Sequence, residues 1–470
     1  MAPKQIVLLA NHEMASLEPN GALSDSSSAT LLLKTICPGL VRFDHKMAIQ
    51  PALAASWTAS DDRRRWRFAL QQNARFHTGR AVTAEIVAWN YRRLFDGRAG
   101  SVLAKDYAGL ESVAAVSAGE VEFAFDQPFP WLLHHLAWRT HVADDTLDQP
   151  VGAGAFRLVE WARGSHLLLE RHDGYWDAGK PHCDRVKVVF APDAPARLAL
   201  IERGAVDIVE NVPATMAADL SARGLLETGT VASGRKSVVV FNCAAAPFSV
   251  PALRHAAALA IDRTALRAEF YGDNARPLDG VLAATDPWGV EVDPIAFDPE
   301  AARRLVKASG YDGSPLRGVT SAVYPTSRVA ARIVEMLRAV GIVVDLAAYD
   351  DPPWWPFMYL RSFWQIAFHN MGPRPHPDLL LGRDFVGGGA FNPTGYASPE
   401  LDALWAQARR TIDPAAAEQI YAQAQRQIRA DMPFVPLYAT DMMVGWRPGV
   451  TGVRPHPMAF VDLDNADLPG

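Results

Sequence analysis

Cysteine is scarce in this chain. Three occur in 470 residues, Cys37, Cys183 and Cys243, and they lie far apart. No Cys-x-x-Cys pair exists, which argues against a zinc ribbon or a thioredoxin-type redox site. The odd number leaves at least one thiol free or paired between chains. Long apolar runs are missing too. Nothing reaches the about 18 residues that a membrane-spanning helix needs. Charge of one sign is not in excess: 46 Lys plus Arg against 52 Asp plus Glu gives a net charge of -6. That mild acidity argues against nucleic acid as a partner, since such binders show a basic face. No Gly-x-Ser-x-Gly elbow is present, which argues against a serine hydrolase. The Gly152-x-Gly154 pair invites a dinucleotide site, but position 157 is Arg where the third glycine would stand. No helix-spaced segment follows it, so a phosphate cradle is rejected. Internal repeats and low-complexity tails are absent.

What is present points to a large α/β protein. With 49% hydrophobic residues, the chain buries sizeable cores and exceeds one ordinary domain, so two or three lobes are expected. Residues 149–185 are its most structured crossing. A small-residue turn at 150–156 precedes residues 157–171, which alternate around Arg163-Gly164 as a hairpin does. Tyr175-Trp176 then meets the tight turn Gly179-Lys180-Pro181. Strands are expected at 6–10, 66–70, 120–125, 186–190, 206–209, 238–242 and 342–346. Pro51 is placed to open a short helical turn. Helices are expected around 30–34, from an N-cap at Thr83, over 128–138, 194–204 and 251–270, and from Asp298-Pro299. Others span 328–340 up to Gly341 and 399–430, split at Asp413-Pro414. Strand, helix, strand over 186–209 predicts a βαβ unit and a partly parallel sheet. The run at 6–10 reads as the first strand of a mature protein whose export signal was replaced by Met, with a native cytoplasmic start as the alternative.

A series of blocks resembles one family. They are Ile49-Gln50-Pro51-Ala52-Leu53-Ala54-Ala55-Ser56-Trp57, Phe76-His77-Thr78-Gly79-Arg80 with Thr83-Ala84-Glu85, and Pro150-Val151-Gly152-Ala153-Gly154-Ala155-Phe156. Then come Gly204-Ala205-Val206-Asp207-Ile208, Phe241-Asn242 with Pro247-Phe248, and Leu253-Arg254-His255-Ala256 with Ala260-Ile261-Asp262-Arg263. The last are Phe297-Asp298-Pro299-Glu300-Ala301-Ala302-Arg303 and Tyr396-Ala397-Ser398-Pro399-Glu400-Leu401-Asp402. In this order, over most of the chain, they resemble the extracytoplasmic solute-binding proteins of peptide and nickel ABC importers. The resemblance implies a two-lobed α/β periplasmic binding protein fold of type II. Lobe I would comprise 1–46, 150–234 and 438–470, lobe II 235–437, and an extra subdomain 47–149, with hinges near 235 and 437. It also implies a monomeric, periplasmic protein without catalysis or cofactor. A small ligand would be clamped between the lobes and delivered to the transmembrane permease.

The same resemblance nominates ligand residues. Arg139, with Trp138 beside it, matches an arginine that holds a chelator's carboxylate in nickel-binding members; a surface arginine at a helix end is the plainer reading. In Gly372-Pro373-Arg374-Pro375-His376-Pro377-Asp378, His376 stands where peptide binders carry an aspartate for the peptide's amine. With Arg374 two residues before it, this favours an anionic ligand, a metal chelate, or both. Neutral imidazole is also a metal ligand, so His376 is the one candidate metal residue, through a chelate. A loop histidine facing water is the plainer reading. Met371 stands where those members place an aromatic wall. His12 follows the first strand, Arg328 and Arg332 are weaker carboxylate candidates, and Trp354, Trp355 and Trp364 are candidate walls. The paired acids Asp144-Asp145 and Asp350-Asp351 read as solvated loops. The expected function is capture of a carboxylate-bearing ligand, a nickel or other metal chelate or a short peptide-like compound, for import. Alternatives are an ordinary di- or oligopeptide binder, a periplasmic hydrolase, or a receptor that presents ligand to a sensor.

Overall fold

A computed structural model of the chain describes residues 3–10, 13–14, 16–20, 27–95, 102–145, 151–191, 194–323, 325–349, 361–389 and 391–468. It divides into two compact units, one of Met1–Val231 with Met442–Gly470, the other of Ala232–Asp441. The chain changes unit within two long strands, Glu227–Phe241 and Phe434–Trp446. No helix among the described residues is long and apolar enough to cross a membrane.

In the first unit, the opening strand Gln5–Ala10 is interior to its sheet. It pairs in parallel with Arg185–Phe190 on one side and with Ile208–Val209 on the other. The helix Ala194–Glu202 links those two neighbours, so the βαβ unit encloses the first strand. The hairpin Phe156–Ala162 and His166–Arg171 extends the sheet antiparallel beyond Arg185–Phe190. Successive side chains on a strand point to opposite faces. Ile6 and Leu8 therefore enter one core with Val186 and Val188, while Leu9 enters another with Ile201 and Leu220. Both faces are covered, as a parallel sheet requires. Each such side chain contributes roughly 1.5–3 kcal/mol by leaving water.

The glycines of the central turn serve that packing. A Cβ on Gly152 would lie 1.8 Å from the Ile36 carbonyl oxygen, and one on Gly154 2.0 Å from that of Thr35. Only glycine lets this turn approach the C-terminal end of the helix Ser27–Ile36 so closely. Gly154 N–H donates to the Ile36 carbonyl at 2.9 Å. Residues 47–149 carry a four-stranded antiparallel sheet in the order Ala54–Ala59, Arg65–Leu70, Glu120–Phe125, Leu110–Ser117. The helix Ala84–Phe95 covers it, with Tyr91 edge-on to Phe123 at 4.9 Å. Ile49–Pro51 is a strand, not the start of a helical turn. Its partner Val41–Phe43 gives the chain an antiparallel option that outweighs the first-turn preference of Pro51.

The second unit has the strand order Val344–Tyr349, Leu316–Ser321, Ile366–Met371, then residues 236–241. The first two contacts are parallel and the last is antiparallel. Helix starts follow local chemistry. Asp298, Ser398 and Asp413 each accept a backbone N–H three residues on, at 2.8, 3.2 and 2.8 Å, and a proline follows each cap. The helix expected over 251–270 is two, Pro251–Ala260 and Arg263–Phe270. Asp262 ends the first by capping the second, accepting from Ala265 N–H at 2.9 Å.

Candidate functional site

In the first unit the sequence singles out Trp138 and Arg139. The helix Leu132–Arg139 ends on Arg139, a cation at the negative end of the helix dipole. Trp138 is 2% exposed, and the half-buried Arg139 guanidinium lies 4.8 Å from its ring centroid. Lys34 Nζ donates to the Ala137 carbonyl at 2.7 Å in the same region. Burial, then the charges of Lys34 and Arg139, hold His141 neutral with its pKa down at about 3. His12 lies outside the described residues, as do Trp354, Trp355 and the pair Asp350-Asp351. Glu13, after His12, is engaged: its carboxylate accepts from Trp161 Nε1 at 2.8 Å and from Gly164 N–H at 2.9 Å. Asp144 is not a solvated loop acid. It is 3% exposed and accepts from Arg80 Nη1 at 2.9 Å and Thr78 Oγ1 at 3.1 Å.

In the second unit, Met371 and Arg374 fall into one charged cluster together with residues the sequence did not nominate. Strand register places Lys236 opposite Met371. Lys236 is 1% exposed, and its Nζ has no hydrogen-bond partner among the described residues. Burial pushes its pKa down from 10.5 to about 8; Arg374 adds to this, while Asp286 and Asp384 oppose it. Arg374 is already paired, with Nε 3.2 Å from Asp384 Oδ2 and both side chains buried. Arg276 Nε donates to Asp441 at 3.1 Å and Nη1 donates to Asp286 Oδ1 at 3.0 Å. The other oxygen of Asp286, Oδ2, is buried with no hydrogen-bond partner among the described residues. Arg276 Nη2 also donates to the Ser233 carbonyl at 3.1 Å, fixing the backbone three residues before Lys236. The arrangement holds an ammonium with three donor positions and a carboxylate oxygen, both out of water and both without a hydrogen bond among the described residues. Leaving such groups unsatisfied costs several kcal/mol, so they are poised for a complementary ligand group.

Other nominated residues have different places. His376 is not a water-facing loop residue. It is 1% exposed and caps the helix Pro377–Asp384, its Nδ1 accepting from Asp378 N–H at 3.1 Å. Its ring packs 4.6 Å from Trp288 and 5.5 Å from Tyr421. Asp378, a possible substitute for amine recognition, is 1% exposed and accepts from Arg409 at 3.1 Å and Tyr421 at 3.2 Å. Trp364 is fully buried, a core residue rather than a wall. Arg328 is exposed on the first turn of Thr326–Ala339, and Arg332 pairs with Glu335 at 2.6 Å. The three cysteines are unpaired. No group of three His, Cys, Asp or Glu among the described residues is arranged to hold a metal ion. Lys236 carries a sequence signal of its own: a lysine two residues before the apolar strand run of Val238 to Phe241, where every side chain is buried.

Comparison with known proteins bears on these residues. The family model for bacterial extracellular solute-binding proteins, family 5, matches residues 48–392. The glutathione-binding protein GsiB of Salmonella typhi is 25% identical over 492 residues, covering 100% of this chain and 95% of that one. Among solved structures, NikA from Staphylococcus aureus in complex with Ni(L-His)2 superposes with a TM-score of 0.89 at 20% identity, over 99% of this chain and 100% of the other. A dipeptide-binding protein from Pseudoalteromonas sp. SM9913 in complex with Met-Leu superposes with a TM-score of 0.91, also at 20% identity, over 99% and 100%.

Proposed function

Since the chain belongs to the bacterial extracellular solute-binding proteins of family 5, we propose that it captures a small carboxylate-bearing ligand and delivers it, chemically unchanged, to the permease of an ABC importer. The observation that carries the ligand class is Lys236: a buried ammonium whose donors meet no acceptor among the described residues. A ligand carboxylate would supply that acceptor and favour the charged form. Asp286 Oδ2, also buried and without a hydrogen bond among the described residues, suits a ligand amine. Together they describe an amino-acid-derived compound. Glutathione, Ni(L-His)2 and Met-Leu, named with three relatives, share that chemistry. Arg374, held by Asp384, acts as a positioning group whose charge adds to the lowering that burial imposes on Lys236. Arg139 is a second carboxylate donor, oriented by its stacking on Trp138. A metal would arrive inside a chelate.

Native mass spectrometry on protein purified without added ligand tests this reading. A defined mass excess from an amino acid, short peptide or chelate with a carboxylate is expected, released with unaltered mass. A bound species lacking any carboxylate, or a ligand released chemically changed, would overturn it.

A further inference from the structure

The first unit encloses a cavity of about 570 Å3, within the usual range for a small-molecule site. None of the residues discussed above for the second unit lines it. Its walls come from the paired strands Val41–Phe43 and Ile49–Pro51, the turn around 175–182, and the C-terminal hairpin of Arg454–His456 and Phe460–Asp462. Aromatic rings shape it. His456 stacks on Phe460 at 4.3 Å, His45 lies 5.1 Å from His456, and Tyr175 lies 5.1 Å from Trp176.

The charged groups on these walls pair only at long range. Arg42 is 3.7 Å from Asp177 and 3.9 Å from Asp464. His45 is 3.7 Å from Asp462, and Tyr175 Oη donates to Asp464 Oδ2 at 3.5 Å. These separations sit at or beyond the limit of a good hydrogen bond, so Arg42 and Asp464 keep donor and acceptor capacity, while His45 Nδ1 also meets the Pro455 carbonyl at 3.3 Å and Asp462 Oδ1 accepts from Asp464 N–H at 3.0 Å. Lys180, by contrast, is held by Asp177 at 3.2 Å. Trp176 Nε1 is buried with no hydrogen-bond partner among the described residues, an indole donor lining the cavity. Burial, reinforced by Asp462, pushes Asp464 up to about 7, with Arg42 and Lys180 opposing the rise only in part.

We propose that this cavity is a second ligand site, for a zwitterion of the amino-acid or short-peptide class, with the ligand's amine on Asp464 and Asp462 and its carboxylate on Arg42 and the Trp176 indole. A purely anionic ligand would draw Arg42 away from Asp464 and give that acid nothing in return. A purely cationic one would compete with Arg42 for Asp464 and leave the indole donor unused. Aromatic faces beside the acids also favour an ammonium group.

The test follows the indole N–H resonance of Trp176 in the full chain, assigned with Trp176→Phe. Alanine, dialanine and trialanine are titrated in, along with the N-acetyl and amide forms of dialanine. At least one zwitterion should shift the resonance saturably, and its two blocked forms should bind at least about tenfold more weakly. The shift should persist in Lys236→Met, which disables the other cluster. Asp464→Asn and Arg42→Gln, checked for unchanged melting, should each weaken it at least about tenfold. If no zwitterion moves the Trp176 resonance at millimolar concentration, or if the blocked forms bind equally well, the proposal fails. It fails equally if Lys236→Met abolishes the shift or if both cavity variants leave it unchanged.

Discussion

Replacing Lys236 with methionine should make the empty protein more stable and the binding weaker. The ammonium is 1% exposed, and its pKa falls from 10.5 to about 8, chiefly through burial. At about 1.4 kcal/mol per pH unit, keeping it charged in the folded state costs roughly 3 kcal/mol. Because the folded pKa lies below the unfolded one, this destabilisation is complete below about pH 8. It fades as pH rises and vanishes above about 10.5. Methionine has similar length and no charge, so it escapes that cost. Asp286 and Asp384 lose an attractive neighbour, which reduces the gain, so ~1–3 kcal/mol at pH 7 is expected. Calorimetry on ligand-free wild type and Lys236→Met should show the variant melting several degrees higher at pH 7, with the gap narrowing between pH 8 and 10. Titration of a carboxylate ligand should show a loss of about 1.5–3 kcal/mol, ten- to over a hundredfold in Kd. A variant that melts lower and binds as well as wild type would show that Lys236 is a structural residue, and the ligand class inferred from it would be withdrawn.

Arg139→Ala should weaken a carboxylate ligand by roughly 1.5–3 kcal/mol in calorimetric titration; an unchanged Kd would leave Arg139 as a helix-end cation stacked on Trp138. His376→Ala should cost about 1 kcal/mol through the lost N-cap and about as much again through lost ring packing. His376→Asn should recover the cap, neither should alter ligand affinity, and denaturant melts with binding curves check both. Gly154→Ala drives a methyl into the Thr35 carbonyl, both sides being backbone, and should cost ~3 kcal/mol or more. Gly164→Ala, where a Cβ meets nothing within 4 Å but φ is +73°, should cost far less in the same melts.

Features written into adjacent residues were legible. Asp298-Pro299 and Asp413-Pro414 start helices because cap and first-turn proline act within four residues. The hairpin around Arg163-Gly164 showed in alternation and a turn glycine at φ +73°. The break at Asp262 was missed because an apolar helical pattern runs across it, although its cap is as local as the others. Gly152 and Gly154 stood out, but their reason, contact with carbonyls of residues 35 and 36, lies over a hundred residues away. The candidate site shows the same limit. Met371 and Arg374 were nominated, yet the charge that gives the cluster its chemistry, Lys236, joins them only through strand register. The helix cap made by His376 was not legible, because a histidine cap depends on geometry that composition does not show.

The interior position of Gln5–Ala10 shapes how the polypeptide is made. A strand synthesised first finds its neighbours only when residues 185–190 and 208–209 emerge, and Ile208–Val209 is itself flanked by Gly445 and Trp446. The N-terminal half of a nascent molecule therefore cannot complete its own sheet. Pairing across such sequence distances is slow, and the leading strand stays without partners until residues 185–190 and 208–209 have been made.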